Sequence, residues 1–173
     1  MPKKMFLAFL MALLIPVYAH AGGEHMHTPY VGSAAFEKMK TLAGSWKGTT
    51  TTEGKTESAE VNYGVSSAGS AVVEKLFPGT DHEMVSVYND EKGSLVMTHY
   101  CALHNQPKLK AASSDDSQIQ LDWTEANGVA LSEPHMHSLK VTFESPDAFT
   151  QEWAYFQDGK AAGTTVMHFE RVK

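Results

Sequence analysis

The stretch Pro134-His135-Met136-His137-Ser138-Leu139-Lys140-Val141-Thr142-Phe143-Glu144 decides how the chain is to be read. On an extended backbone His135, His137, Leu139, Val141 and Phe143 share one face, and Met136, Ser138, Lys140 and Thr142 share the other. A period of two with one apolar side is the pattern of a half-buried β-strand. It predicts that His135 and His137 enter an interior from the strand's beginning. The same pattern runs through Leu95, Met97, His99, Cys101 and Leu103, with Thr98 and Tyr100 opposite. Phe149, Gln151, Trp153 and Tyr155 form a third such face, and Ile119, Leu121 and Trp123 a fourth.

Outward from these segments the chain reads as strand after strand: Ser45–Thr52, Thr56–Tyr63, Ala71–Phe77, Glu83–Tyr88, Ser94–Leu103, Lys108–Ala112, Gln118–Thr124, Met136–Glu144, Phe149–Gln157 and Thr164–Arg171. Turn chemistry separates them, as at Glu53-Gly54, Pro78-Gly79-Thr80-Asp81, Asn89–Gly93, Asn127-Gly128 and Asp158-Gly159. Connections this short leave no room for parallel crossovers, which excludes the enzyme folds built on them. About ten antiparallel strands exceed what a flat sheet tolerates, and closure removes the exposed edges. The expected fold is all-β, a closed antiparallel up-and-down barrel of about ten strands with one short N-terminal helix. That helix is Ala34–Leu42, capped by Ser33 and ended by Gly44, with Phe36, Met39 and Leu42 at helical spacing.

Residues 1–21 read as a leader outside the fold. Lys3 and Lys4 precede the apolar run Met5–Ile15, too short to cross a bilayer, and Ala19-His20-Ala21 is a small-x-small cleavage site. Cleavage near Ala21 makes the protein periplasmic or secreted. Residues 22–33 then form a flexible arm, whose His25, Met26 and His27 also read as a copper or zinc catch, and 34–173 form the barrel domain. Losing Lys3 and Lys4 moves the formal charge from −6 to about −8. Such an acidic balance argues against nucleic acid or an anionic membrane surface as partner, and no later apolar run predicts membrane insertion. Cys101 is the one cysteine, so an internal disulfide is excluded and packing must stabilise the fold.

Gly44-Ser45-Trp46 opens the first strand, and Arg171, the one arginine among 14 basic side chains, closes the last. This pairing resembles the calycin superfamily of lipocalins, fatty-acid-binding proteins and nitrobindin-like barrels, and most closely secreted lipocalin-like proteins of unassigned function. The resemblance implies that the Arg171 guanidinium stacks on the Trp46 indole at the barrel floor, a structural role for both. Fatty-acid binders hold the carboxylate with inward arginines, and none is left over here. Nitrobindin-like proteins hold haem through a histidine near the carboxyl terminus, where this chain has His168.

The expected lumen is aromatic and aliphatic with a polar subset. Ligand-binding candidates are His99, Cys101, Gln106, Trp123, His135, His137, Phe143, Trp153 and Tyr155. An apolar chamber with a few convergent polar groups describes a small-molecule site, so the first reading is an exported carrier or sensor for a small, largely apolar molecule. A second makes His99, Cys101, His135 and His137 a zinc or copper set, or His168 a haem ligand. The bland alternative is that these are strand residues satisfied by one another and by water. A cavity enzyme using His99 or His137 is a third reading, and no Ser-centred elbow, phosphate loop or nucleotide fingerprint accompanies it. Two rim features complete the inventory. Asn105-Gln106-Pro107 predicts a bend that brings amides to the rim, and Asp81-His82-Glu83 a solvated hairpin end.

Overall fold

The computed structural model of the chain describes residues 28–127 and 129–173. The expected leader and the His25, Met26 and His27 arm lie outside the described residues. Helix α1 spans Ala34–Lys40, and the strands are β1 Gly44–Thr52, β2 Lys55–Ser66, β3 Ala71–Leu76, β4 Met84–Glu91, β5 Ser94–Tyr100, β6 Gln106–Ser114, β7 Gln118–Asn127, β8 His135–Ser145, β9 Ala148–Gln157 and β10 Lys160–Arg171. Each strand pairs antiparallel with its sequence neighbours, and β10 returns to β1, closing a ten-stranded up-and-down barrel. Closure leaves no strand with an unpaired edge.

Three hairpins use two-residue turns in which both residues have positive φ: Glu53-Gly54, Lys92-Gly93 and Asp158-Gly159. That geometry matches the right-handed twist of the flanking strands, so these turns also set the register. The fifth strand ends earlier than its alternation suggested. After Tyr100 the chain turns, with the His104 amide donating to the Cys101 carbonyl (3.0 Å) and the Cys101 amide to Asn105 O (3.0 Å).

At the end where β1 begins and β10 finishes, α1 plugs the barrel. Ser33 Oγ accepts from the Phe36 amide, and the Ser33 amide donates to Asp90 Oδ2 at 2.8 Å, fixing the helix entry to β4. Phe36, Met39 and Leu42 are fully buried against Trp46, Phe149 and Phe169, with Phe149 edge-on to Trp46 at 4.7 Å. A seven-residue helix is unstable alone, so this burial is what holds it. Tyr30 to Ser33, expected as part of a loose arm, are fastened: the Tyr30 amide donates to Ala68 O, and Lys40 Nζ to Tyr30 O.

Trp46 and Arg171 are directly opposite each other across the β1–β10 seam. The guanidinium carbon lies 4.0 Å from the indole centroid. Nη1 and Nη2 donate to the carbonyls of Ala43 and Thr41 at 2.8 and 2.9 Å, and Trp46 Nε1 donates to Leu42 O at 2.7 Å. Arg171 therefore satisfies the carbonyls left open past the end of α1 while covering the indole. Gly44 is required beside it. Its φ is +130°, and a Cβ there would stand 2.9 Å from Arg171 Nη1.

Replacing Arg171 by Ala removes the stack, three charged hydrogen bonds to the Ala43, Thr41 and Pro146 carbonyls and the ion pair with Asp147, and is expected to cost about 2 kcal/mol or more. Arg171→Lys should recover less than half of that, since an ammonium cannot reproduce the planar fork. Urea unfolding measures both, and a lysine variant as stable as the parent would contradict this account of the seam.

Candidate functional site

A row of polar side chains crosses the barrel wall above the plugged end. Tyr63 on β2 is opposite Glu74 on β3, Glu74 opposite Ser86 on β4, and Ser86 opposite His99 on β5. Directly opposed residues of antiparallel strands share a face, so the four side chains stand side by side on the inner wall. All are buried. Glu74 Oε2 accepts from Tyr63 Oη at 2.6 Å, Tyr88 Oη at 2.9 Å and Gln151 Nε2 at 2.8 Å, while Oε1 accepts from Ser86 Oγ at 3.0 Å. Ser86 Oγ also lies 3.0 Å from His99 Nδ1. Gln151 reaches across from β9 and is held by Trp153, whose Nε1 donates to Gln151 Oε1 at 3.1 Å. The Trp153 ring packs on His99 with centroids 4.8 Å apart.

Burial sets the proton affinities here. It pushes the Glu74 carboxyl above its usual range, against the four hydrogen bonds that favour the charged form. Burial also lowers His99 to about 4, so its imidazole is neutral at physiological pH. Tyr63 and Tyr88 are driven well above the ordinary phenol value, by burial first and the adjoining Glu74 second. Both remain protonated donors.

Beyond this row the barrel is open. A cavity of about 1070 Å³ extends to the mouth, walled by Leu76, Phe77, Met84, Met136, Trp153 and Met167 among others, with His99 at its inner end. Of the candidates read from sequence, His99, Cys101, Trp153 and Tyr155 line it. Cys101 is half-buried, and burial raises its thiol, so it is neither a ready nucleophile nor an activated thiolate ligand. The rim carries the exposed His82, packed on Phe77 with ring centroids 5.8 Å apart.

Five candidates are not part of the cavity wall. The expectation that His135 and His137 enter the lumen fails because the β8–β9 register shifts between Met136 and Ser138. This bulge resets the alternation, and Met136, expected on the outer face, lines the cavity beside its cross-strand partner Tyr155. The two histidines instead join Trp123 and Phe156, with His137 stacked at 3.7 Å on Phe156 and at 5.8 Å on Trp123. Trp123 therefore belongs to that group, and its Nε1 is buried without a partner among the described residues. His135 Nδ1 lies 2.7 Å from Glu133 O, and its Nε2 lies 3.0 Å from His137 Nδ1. Since the carbonyl only accepts, His135 Nδ1 donates to it and His137 Nδ1 donates to His135 Nε2.

Gln106 does not reach the cavity either. Its neighbour Asn105 donates from Nδ2 to Pro134 O at 2.7 Å, joining the β5–β6 turn to the start of β8. Phe143 lies near the plugged end, with Lys38 Nζ 4.8 Å from its ring centroid. His99 and Cys101 are thus separated from His135 and His137, and among the described residues no group of three or more His, Cys, Asp or Glu is arranged to hold a metal. His168, the candidate haem ligand, is exposed, and its Nδ1 lies 2.9 Å from Thr150 Oγ1.

The Glu74 row escaped the sequence reading. Its one local signal is Val72-x-Glu74-x-Leu76, an acid between two inward apolar positions of a strand.

No family model matches the chain, and no curated protein matches it. Among solved structures, a protein of unknown function from the DUF3598 family of Nostoc punctiforme is similar over 78% of this chain, with a TM-score of 0.58 and 15% identity. The match covers 48% of that protein, so the chain spans about half its length. A redesigned β-barrel is similar over 78% of this chain and 94% of its own, at a TM-score of 0.39 and 15% identity. The protein EF1p2_mFAP2b bound to DFHBI is similar over 79% and 98%, at a TM-score of 0.42 and 16% identity. At these identities the DUF3598 likeness bears on the fold alone.

With the folded value of His99 near 4 and the unfolded value near 6.5, the unfolded chain takes up the proton first as pH falls. The His99 contribution to stability is fully present above about pH 6.5 and is lost toward pH 4, by up to about 3 kcal/mol. Glu74, shifted upward, acts in the opposite sense, so a difference isolates His99. Urea unfolding across this range should show the parent losing stability relative to His99→Gln, and parallel pH profiles would contradict a buried neutral imidazole.

Proposed function

We propose that this chain is an exported, calycin-like binding barrel, a carrier or sensor that holds one small, largely apolar molecule in the open half of its lumen. The observation that carries this reading is the cavity of about 1070 Å³ that opens at the mouth, while α1 and its aromatic neighbours pack the opposite end. A volume of this order suits a drug-sized or larger molecule. Mostly apolar walls supply affinity without direction, and His99, the member of the polar row that lines the cavity, supplies an oriented polar group. The Trp46–Arg171 plug supports the calycin likeness. Export rests on Lys3, Lys4, the apolar run Met5–Ile15 and Ala19-His20-Ala21. Among the described residues no helix is long and apolar enough to cross a membrane.

Titration with N-phenyl-1-naphthylamine, an uncharged fluorescent probe, should show saturable binding of one molecule per chain. Met136→Trp, which fills the wall without touching the polar row, should weaken it about tenfold or more with folding retained. Absence of saturable binding, or indifference to Met136→Trp, would remove the reading. Export is checked separately by the amino-terminal sequence of protein recovered from outside the cytoplasm, expected to begin at Gly22.

A further inference from the structure

The hydrogen-bond directions around Glu74 can be fixed from one end. An indole N–H only donates, so Gln151 Oε1 is the amide oxygen and Gln151 Nε2 the donor. Gln151 Nε2 donates to Tyr63 Oη at 2.7 Å as well as to Glu74 Oε2, so the Tyr63 hydroxyl hydrogen points to Glu74 Oε2. Together with Tyr88, this makes Oε2 an acceptor three times over. A proton on Glu74 can therefore reside only on Oε1, which faces Ser86. Ser86 in turn touches Nδ1 of His99. On the far side of that ring, Nε2 has no hydrogen-bond partner among the described residues, and His99 lines the cavity.

The geometry points to His99 Nε2 as a proton acceptor for the bound molecule, backed by Glu74 through Ser86, so that the cavity selects ligands carrying a weakly acidic O–H or N–H group. This rests on the binding-barrel reading and names its ligand class. With Glu74 ionised, Ser86 donates to Oε1, His99 Nδ1–H donates to Ser86 Oγ, and Nε2 presents a bare lone pair to the cavity. A ligand hydroxyl donates there. Full transfer moves its proton to Nε2, the Nδ1 proton to Ser86 Oγ and the Ser86 proton to Glu74 Oε1. The products are a ligand anion held by Nε2–H, a neutral imidazole, an intact serine hydroxyl and a neutral carboxylic acid. No imidazolium persists, and the charge that leaves Glu74 reappears on the ligand. Trp153 on the ring face suits a flat aromatic acid such as a phenol. Ser86 and Glu74 act as positioning residues, and His99 alone meets the ligand.

Paired probes test this. 7-Hydroxycoumarin and 7-methoxycoumarin differ in the donor, and the phenolate of the first has its own absorbance band. The parent should bind the hydroxyl form about tenfold more tightly and show the phenolate band at a pH where the free probe is protonated. Ser86→Ala and Glu74→Gln should keep 7-methoxycoumarin binding within about twofold while losing both the preference and the band. The ¹⁵N shifts of His99 add a readout independent of packing: the proton should sit on Nδ1 in the parent and on Nε2 in Glu74→Gln, where the amide can donate to Ser86. If Glu74→Gln does not fold, Ser86→Ala and the parent spectrum decide. Binding of N-phenyl-1-naphthylamine with no preference between the coumarins, or with neither bound, overturns this inference and leaves the binding barrel standing. Failure of all three probes removes the cavity reading as well.

Discussion

A closed barrel depends on the meeting of its first and last strands, the strand pair whose members are not consecutive in sequence. Here the seam is β1 against β10, and the contact that pins it is Trp46 under Arg171. The guanidinium does three things at once. It covers the indole face, caps the carbonyls past the end of α1, and by its span across the seam ties helix, first strand and last strand together. Gly48 adds a second constraint further along, since a Cβ there would lie 1.8 Å from the His168 carbonyl oxygen. Aligning the seam aligns every other strand in turn, because each hairpin transmits register to the next.

That register is what assembles the polar row. Tyr63, Glu74, Ser86 and His99 come from four consecutive strands and meet only because the pairings place them directly opposite one another. A buried carboxylate is costly unless its lone pairs are occupied, and four donors occupy them. Each lost donor leaves the Glu74 charge less well compensated in a low-dielectric interior, so the network favours the arrangement in which all four donors are present. The row therefore makes the middle of the barrel rigid as well as polar, and separates a packed lower half from an open upper one.

The ten strands, the single helix, the Glu53-Gly54 and Asp158-Gly159 turns and the Trp46–Arg171 contact were legible in the chain, because each depends on local periodicity, turn chemistry or a resemblance carried by particular residues. The turn read at Asn89–Gly93 is confined to Lys92-Gly93. The inward face of Leu95, Met97 and His99 was legible too, although the strand stops at Tyr100 and Leu103, on the turn beyond it, is exposed. The His135–Phe143 face was read with equal clarity and only partly matched, because an extra residue at the β8–β9 bulge leaves no trace in hydrophobic alternation. Two histidines and a methionine exchanged places as a result. Glu74 escaped for a different reason. Its significance lies in cross-strand neighbours, and alternation within one strand says which side a residue faces but not whom it meets.

The plug at one end also settles traffic. Helix α1 fills the base with Phe36, Met39 and Leu42 and is anchored by Asp90, Lys40 and Arg171 contacts, so the lumen is a blind well rather than a tunnel. Anything that enters must leave by the same door, past the hairpin tips that frame it at Glu53-Gly54, Thr80–His82 and Ala102–Leu103. Under the proposed binding function these tips lie on the route between the cavity and solvent, apart from the groups that contact the ligand inside. Substitutions at the lip can therefore change access to the cavity while leaving the polar row and the plug as they are.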